Sequence, residues 1–186
     1  MTLKIEPSFS TRIPPGEDRE RQVCDRCGFV DYVNPKIVAG AVVAWAENGP
    51  PHGPGAVPLD QVKILLCRRA IHPRRGYWTL PAGFMETGET TREAARREIR
   101  EEACAEVECD AVLALYDVTA RAQVHVFQRA RLLGGSAAGP ESLEVALYGW
   151  DEIPWEDLAF TTVHRALRAW LDSREQAVFA PYSNPA

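Results

Sequence analysis

The sequence has no uninterrupted apolar segment close to the roughly 20 residues that a membrane-spanning helix needs. Its N-terminal stretch, MTLKIEPSFSTRIPPGEDRER, also lacks the continuous apolar core of a secretory signal. These two absences argue against a membrane protein and against a secreted one. We therefore expect a cytoplasmic protein.

A strong charge of either sign is missing as well. Lys and Arg total 21 against 26 Asp and Glu, which gives a net charge of −5. So mild an acidic balance argues against non-specific binding to nucleic acid or to an anionic membrane surface. With 186 residues, of which 46% are hydrophobic and 25% charged, the chain suits one globular domain with a small appendage.

Cysteine is scarce, and its number is odd at five, so a framework of disulfides is not expected. Cys24 and Cys27 form a single CxxC motif, and neither cysteine nor histidine precedes it. A structural zinc ion normally takes four ligands, of which this pair would supply two. We interpret the segment as a tight turn, with a zinc site as the alternative.

The apolar pattern predicts several strands and two helices, which indicates an α+β or α/β sandwich. Residues 1–35 are interpreted as a small irregular lobe, and ENGPPHGPGAVPLDQ (47–61) as a flexible loop without a role in the core. The predicted strands are 37–46, 62–69, 77–83, 105–118, 122–133 and 143–150, and the predicted helices run from about Thr90 to Cys104 and through an amphipathic segment near the C-terminus.

Three glutamates, Glu98, Glu101 and Glu102, lie near the C-terminal end of the first predicted helix, where they are locally unfavourable. Like charges three or four residues apart repel, and the helix dipole prefers cations at this end. The three side chains fall within an arc of about 100° that borders the buried stripe of Ala95 and Ile99. Carboxylate oxygens are the ligands that Mg²⁺ takes. The cluster therefore indicates a divalent-metal site, and the alternative is a solvated acidic face paired with neighbouring arginines.

The segment GFMETGETTREAARREIREEACA (83–105) resembles the Nudix box, G-x5-E-x7-R-E-U-x-E-E-x-G-U, in which U is apolar. Gly83, Glu89, the run 97–99 and the pair 101–102 all stand at the spacing of that pattern. The last glycine of the pattern is replaced by Cys104. A cysteine at this position either adopts a left-handed conformation at an energetic cost or continues the helix by one residue.

The resemblance to Nudix hydrolases implies both a fold and a chemistry. The fold would be the Nudix α/β/α sandwich, with a mixed β-sheet between helices. The activity would be Mg²⁺- or Mn²⁺-dependent hydrolysis of a nucleoside diphosphate linked to another moiety. The residues carried over by position are the metal ligands Glu98, Glu101 and Glu102, Gly83 for close approach of the backbone, Glu89 to hold the loop, and Arg97 to orient a glutamate.

The flanking segments NPKIVAG, RRAIHPRRGYWTLPAGFMETGET and EIPWEDLAF resemble a bacterial and plastid subgroup that is associated with ADP-ribose and FAD hydrolysis. Members of that subgroup carry an N-terminal zinc ribbon with two CxxC pairs, and the first pair would fall near TLKIE, which contains no cysteine. The resemblance implies a zinc-ribbon-like segment over 1–35, a Nudix domain over 36–175 and a tail over 176–186. AMP would be the product released.

Substrate contacts are predicted from the residue types around the box. A diphosphate needs cations, and aromatic rings stack on adenine or isoalloxazine. Nudix enzymes often keep an extra carboxylate in this region as base or ligand, so the resemblance implies such a role for Glu141 or Glu144, and Glu144 is favoured because it leads into the strand VALYGW. The predicted contact residues are Arg68, Arg69, Arg74, Arg75, Tyr77, Trp78 and Phe127, with the alternative that the arginines are solvated and the rings belong to the core.

Other functions stay open at this point. One alternative is hydrolysis of NADH, a nucleotide sugar or a modified nucleoside triphosphate. Another is a non-catalytic sensor that binds ADP-ribose, although such proteins often lose box carboxylates that this chain keeps. Members of the family often pair through their N-terminal segments, so a homodimer is expected.

Overall fold

The computed structural model describes residues 8–184, which divide into two compact units after Pro35. No helix in this part of the chain is long and apolar enough to cross a lipid bilayer. The strands and helices are β1 (Phe9–Arg12), β2 (Arg21–Cys24), β3 (Val30–Asp31), β4 (Lys36–Ala46), β5 (Val62–Arg69), β6 (Trp78–Thr79), β7 (Ala82–Phe84), α1 (Thr91–Ala103), β8 (Val107–Val118), β9 (Gln123–Leu132), β10 (Ser142–Gly149) and α2 (Thr161–Ser173).

The N-terminal unit is a three-stranded antiparallel sheet in the order β1-β2-β3, so the expectation of an irregular lobe is wrong. Val23 and Cys24 of β2 are its buried apolar residues. The Asp25 carboxylate accepts hydrogen bonds from Ser10 at 2.6 Å and from Arg12 at 2.7 Å. Side-chain hydrogen bonds and backbone pairing therefore hold this sheet together. Neither interaction requires an apolar run in the sequence, so the apolar pattern did not indicate these strands.

The larger unit is built on a seven-stranded mixed sheet. Its main path runs β10-β5-β4-β9-β8, while β6 pairs with β5 and β7 pairs with β4. The pairing of β4 with β9 is parallel and the others are antiparallel. The predicted antiparallel pairing of the strands at 37–46 and 62–69 is confirmed.

Alternate residues of β4 face opposite sides of this sheet, because successive side chains of a strand point in opposite directions. Ala41 and Val43 pack in a cluster with Ile99 of α1. Val42 packs in another cluster with Trp170 of α2. The two helices therefore cover the two faces of the sheet, which is the α/β/α sandwich that the resemblance implies.

The box helix α1 begins at a capping box, as expected from the sequence. Thr90 Oγ1 accepts from the Glu93 backbone N–H at 3.2 Å, and Glu93 Oε2 accepts from the Thr90 backbone N–H at 2.8 Å. The helix ends at Cys104, whose φ of 46° and ψ of 37° are left-handed. The alternative that Cys104 continues the helix is therefore wrong. The cysteine keeps the backbone conformation that glycine adopts more readily at this position.

The Gly/Pro-rich loop between β4 and β5 contributes to the core, contrary to the expectation of a flexible loop. Val57 is 9% exposed and belongs to the cluster on the α2 face. His52 is 8% exposed, and its ring lies edge-on to Trp170 with 6.5 Å between centroids. Arg174 Nη1 donates to the Val57 carbonyl at 2.6 Å. Contacts with α2 and its C-terminal end therefore order a segment whose composition favours disorder.

Arg129 of β9 ties the C-terminal segment to the sheet. Its guanidinium is buried and donates to the Asp110 carboxylate at 2.7 Å. It also donates to the Ser173 carbonyl at 3.1 Å and to the Gln176 carbonyl at 2.9 Å. Further along, the Tyr182 backbone hydrogen-bonds to β8 through Leu113 and Leu115. Residues 176–184, expected as part of a tail, therefore lie against the domain.

Candidate active site

A cleft of about 890 Å³ lies beside the box helix, with a volume typical of ligand-binding pockets. Residues of β4 and β7, the loop after β5, the beginning of β9 and the N-terminal end of α2 line it. The glutamates that line it include Glu98, Glu101, Glu102 and Glu141.

Arg97 holds several of the box carboxylates in place. Its Nη1 donates to Glu98 Oε1 at 2.7 Å and to Glu101 Oε2 at 3.2 Å. Its Nη2 donates to Glu89 Oε1 at 2.8 Å and to the Phe84 carbonyl at 2.9 Å. The same Glu89 oxygen accepts from the Glu86 backbone N–H at 2.6 Å. One guanidinium thus fixes the box loop and orients two of the three glutamates predicted to bind a metal.

Gly83 has a steric reason to be glycine. A Cβ atom at this position would overlap the carboxylate of Glu98. The missing side chain lets Glu98 lie directly against the backbone of β7. Glycine is therefore needed at position 83 so that the Glu98 carboxylate can approach the backbone, and not for a special backbone angle.

Glu102 is the most deeply buried carboxylate of the cleft, with 6% of its surface exposed. Its Oε2 accepts from the Ala82 backbone N–H at 3.1 Å. Burial, helped by the negative charges of Glu98 and Glu141, raises the pKa of Glu102 to about 8 against the lowering effects of the Ala82 N–H and of Arg69. Burial likewise raises the pKa of Glu98 above its usual range, although Arg97 opposes this. The site is thus electrostatically costly without added positive charge.

Glu141, and not the favoured Glu144, lines the cleft together with the three box glutamates. Glu144 instead lies opposite Arg68 on β5 and pairs with it at 3.6 Å, with both side chains about half exposed. The preference for Glu144 is therefore corrected, because this side chain pairs with Arg68 and is not among the described residues that line the cleft.

A loop delivers Glu141 by closing over the C-terminal end of α1. The Ala137 N–H donates to the Ala103 carbonyl at 2.9 Å, and the Gly139 N–H donates to the Glu102 carbonyl at 3.0 Å. A Cβ at position 139 would overlap the Glu101 backbone carbonyl. The loop therefore supplies donors to the unpaired carbonyls of the helix end, and only glycine fits at the closest point.

The predicted arginines separate into two groups. Arg69 and Arg74 line the cleft, whereas Arg68 and Arg75 are not among its lining residues in the described chain. The Arg69 guanidinium lies 5.2 Å from the centroid of the Phe160 ring, and its charge lowers the pKa of Glu102. Arg69 is thus the predicted cation that the structure places next to the carboxylates.

The predicted stacking residues do not offer ring faces to a ligand. Trp78 is 8% exposed and Phe127 is 2% exposed, and both pack in the core cluster on the α2 face. Tyr77 has the Arg74 guanidinium 5.0 Å from its ring centroid. The aromatic rings that line the cleft are instead Phe84 and Phe160. Sequence reasoning missed both, although Phe84 follows the box glycine directly.

The donor set of the cleft suits a hard divalent cation. Five glutamates, Glu86, Glu98, Glu101, Glu102 and Glu141, line this cleft, and Glu98 and Glu102 have raised pKa values that a bound cation would reverse. No three Asp, Glu, His or Cys side chains of residues 8–184 already converge as a coordinating set. Glu98 and Glu101 instead accept from Arg97. Carboxylate oxygens are the ligands that Mg²⁺ and Mn²⁺ accept, so the residues fit the expected metal.

Cys24 and Cys27 form a knuckle-like turn in the N-terminal unit. The Gly28 N–H donates to the Cys24 carbonyl at 2.9 Å, and the Cys24 N–H donates to the Phe29 carbonyl at 2.8 Å. No third candidate ligand joins the pair within residues 8–184. The stretch TLKIE, where the first pair of the ribbon would fall, lies outside the described residues. The pair alone would provide only two of the four ligands that a structural zinc ion normally takes.

Comparison with known proteins gives the same assignment as the box geometry. The "NUDIX domain" family model matches residues 50–171, and the "Nudix N-terminal" zinc-ribbon model matches residues 7–33. A crystal structure of a NUDIX hydrolase from Nitrosomonas europaea has a TM-score of 0.81 and 38% identity, covering 98% of this chain and 97% of that chain.

Two curated relatives are similar over about half of this chain. The ADP-ribose pyrophosphatase of Methanocaldococcus jannaschii is 34% identical over 105 residues, which are 54% of this chain and 62% of the relative. The human 8-oxo-dGDP phosphatase NUDT18 is 36% identical over 110 residues, which are 56% of this chain and 34% of the relative. The chain thus spans less than two thirds of the length of either. The family-model match, the full-length structural match and the complete set of box carboxylates establish that this chain belongs to the Nudix hydrolase family.

Proposed function

We propose that this protein hydrolyses the diphosphate of a nucleoside diphosphate linked to another moiety, with Mg²⁺ or Mn²⁺ as cofactor and ADP-ribose as its substrate. The observation that carries this proposal is the cleft of about 890 Å³, whose lining includes Glu98, Glu101, Glu102 and Glu141 together with Arg69. Such a site pairs carboxylates for a metal with a cation for a phosphate, in a space large enough for a dinucleotide-like ligand.

The chain's own side chains divide the work of the reaction. Glu98, Glu101 and Glu102 would hold the metal, with Arg97 keeping the first two in position. The bound metal supplies positive charge that neutralises the diphosphate and lowers the pKa of water. Arg69 would bind a phosphate oxygen through its guanidinium.

Glu141 would take the proton of the attacking water. The water oxygen forms a bond to the adenosine-side phosphorus as the bond from that phosphorus to the bridging oxygen breaks. The proton passes to the Glu141 carboxylate, and the leaving group departs as ribose 5-phosphate while AMP remains. The placement of Glu141 beside the box glutamates, at the edge of the same cleft, supports this role.

The ADP-ribose pyrophosphatase from Methanocaldococcus jannaschii supports ADP-ribose as the first substrate to test. FAD is the second member of the same substrate class. The name of the human relative supports an alternative, removal of phosphate from 8-oxo-dGDP. NADH, nucleotide sugars, modified nucleoside triphosphates and a binding-only role stay as further alternatives. Three further statements stay predictions. They are the homodimer, the cytoplasmic location, and the domain boundaries between residues 35 and 36 and between residues 175 and 176.

A product assay tests this function. The purified protein is incubated separately with ADP-ribose, FAD, NADH, 8-oxo-dGDP and a nucleoside triphosphate, each with Mg²⁺, with Mn²⁺ and with EDTA. We expect AMP and ribose 5-phosphate from ADP-ribose, and no product with EDTA. Release of orthophosphate from 8-oxo-dGDP or pyrophosphate from the triphosphate, with ADP-ribose intact, would contradict the proposed substrate. Binding of ADP-ribose without turnover would indicate the sensor.

Replacing Gly139 with Ala is expected to lower kcat by about tenfold to 100-fold, because small displacements of a reacting group have effects of this size. The new Cβ cannot fit against the Glu101 carbonyl, so the loop must move and carry Glu141 away from the box glutamates. Steady-state kinetics with ADP-ribose measures the loss.

The matched control for this prediction is Gly135→Ala in the same loop, where a Cβ meets no atom within 4 Å. This variant should keep the wild-type kcat. If Gly139→Ala melts at the wild-type temperature and also keeps the wild-type kcat, the loop does not position a reacting group.

A further inference from the structure

Three neighbouring strands place Val38, Phe84 and His125 side by side in the cleft. Val38 of β4 pairs with Phe84 of β7 on one side and with His125 of β9 on the other. Residues directly opposite each other on neighbouring strands project from the same face of a sheet. Adjacent strands are about 4.8 Å apart, so Phe84 and His125 lie roughly 10 Å apart across Val38. All three line the cleft and together form a surface that we call the β4 floor.

Phe84 is a large apolar side chain that is 49% exposed while it lines the cleft, and Ile71 is the other such residue among the described residues of the lining. The Lys36 ammonium lies 5.1 Å from its ring centroid and covers part of the ring. Its backbone carbonyl accepts from Arg97, so the residue is fixed to the catalytic box. An exposed aromatic ring held in place beside a polar site provides a surface for stacking.

The opposite end of the β4 floor is polar and is held by hydrogen bonds. The His125 ring contacts Gln123 Oε1 through Nε2 at 3.0 Å and Thr162 Oγ1 through Nδ1 at 3.2 Å. Burial and the nearby Arg121 hold the pKa of His125 below its usual range, which favours the neutral imidazole. With Gln123 accepting, the Nε2 atom carries the proton and Nδ1 accepts from the Thr162 hydroxyl. A neutral, ordered imidazole suits an uncharged ligand group better than a phosphate.

The lining of the cleft therefore combines two chemistries. The glutamates and Arg69 suit a metal and a diphosphate. Val38 and Phe84 add apolar surface, and Gln123 and Arg121 add hydrogen-bond donors. Flat apolar faces with hydrogen-bond acceptors at the edge are the properties of a purine base.

We propose that the β4 floor binds the purine base of the substrate, with the base stacked on Phe84 and its acceptor edge toward Gln123 and Arg121. The inference rests on the proposed function, because it assigns the nucleotide end of that substrate. It makes Phe84 a specificity residue, which touches the base and does not touch the diphosphate. A substrate that lacks an aromatic base would forgo this contact.

Equilibrium binding with two fragments tests the base site. AMP carries the base, whereas ribose 5-phosphate carries only sugar and phosphate, and both are titrated calorimetrically with Mg²⁺ present. We expect the wild type to bind AMP about tenfold or more tightly than ribose 5-phosphate, from the usual contribution of base stacking on an aromatic ring. Phe84→Ala should remove most of this preference without changing the affinity for ribose 5-phosphate. Phe84→Trp should restore it.

Leu143→Ala is the matched control, since Leu143 has the same exposed fraction of 49% and is not among the residues that line the cleft. The preference for AMP should be unchanged in this variant. Equal AMP affinities in wild type and a folded Phe84→Ala variant would overturn the base site, and so would a wild type without preference for AMP. Neither result bears on whether ADP-ribose is hydrolysed. Conversely, a protein that leaves ADP-ribose intact but binds AMP through Phe84 would refute only the proposed reaction.

Discussion

Glu101→Gln is expected to lower kcat by about 100-fold or more without loss of the fold. A metal at such a site contributes several kcal/mol to the transition state, and each 1.36 kcal/mol corresponds to a factor of ten in rate. The substitution keeps the shape of the side chain and removes its charge. Glu101 is 57% exposed, and Arg97 donates to its carboxylate, so little packing depends on it. The rate is measured with saturating Mg²⁺ and ADP-ribose.

Glu108→Gln provides the control for this experiment. Glu108 is 59% exposed and pairs with Arg131 across β8 and β9, away from the box helix. Both variants lose one exposed carboxylate in an ion pair, yet only Glu101→Gln loses a predicted metal ligand. A Glu101→Gln enzyme with a near wild-type rate would show that this assignment is wrong.

Glu102→Gln is expected to stabilise the metal-free protein at alkaline pH. Burial raises the pKa of Glu102 from 4.5 to about 8, so the folded state binds a proton more tightly than the unfolded state. The contribution of Glu102 to stability is fully present below pH 4.5 and is lost as the pH rises through about 8. At pH 9 in EDTA, the variant should exceed the wild type by on the order of a few kcal/mol, or several degrees in Tm. At pH 5 the two should differ little.

Excess Mg²⁺ should reverse this order of stability, so that the wild type becomes more stable than Glu102→Gln. At a concentration a hundredfold above its dissociation constant, a metal that binds only the folded state adds about 2.7 kcal/mol. We expect excess Mg²⁺ at pH 8 to raise the Tm of the wild type and to affect Glu102→Gln much less. Melting curves of wild type, Glu102→Gln and Glu108→Gln, with EDTA and with Mg²⁺, decide the matter. Parallel pH and Mg²⁺ responses in all three proteins would mean that Glu102 is neither the costly buried carboxylate nor a metal ligand.

The box helix could be predicted because its signals are local. Thr90 and Glu93 form the capping box three residues apart, and the predicted metal ligands Glu98, Glu101 and Glu102 lie within about one turn of each other. Likewise, the strands at 37–46 and 62–69 appear as apolar runs. Local hydrogen bonding and periodicity determine these elements, so the sequence contains enough information to place them.

The residues that surround the box in the folded chain come from distant segments. The contacts that bring these segments together do not appear in the sequence. Glu141 reaches the cleft through a loop that closes over the end of α1, with the Gly139 N–H bonded to the Glu102 carbonyl, and residue types and spacing do not show this contact. Trp78 was predicted to stack because it lies beside the box, but its strand turns the ring into the core. Val57 lies in a loop whose composition favours disorder, and α2 and Arg174 order that loop only in the folded chain. Tertiary packing decided each of these cases.

The buried position of Arg129 has a consequence for the order in which the domain is completed during synthesis. Its guanidinium needs the Asp110 carboxylate, which the ribosome makes earlier, and the carbonyls of Ser173 and Gln176, which it makes more than 40 residues later. An incompletely paired buried charge is strongly destabilising, so a nascent chain that lacks residues 173–176 cannot close the sheet around Arg129 without a penalty. The segment from α2 to Gln176 thus supplies two partners of a buried residue in the central sheet, and Thr161 and Thr162 of α2 also line the cleft. We therefore expect the cleft to acquire its final shape only when this part of the chain has left the ribosome.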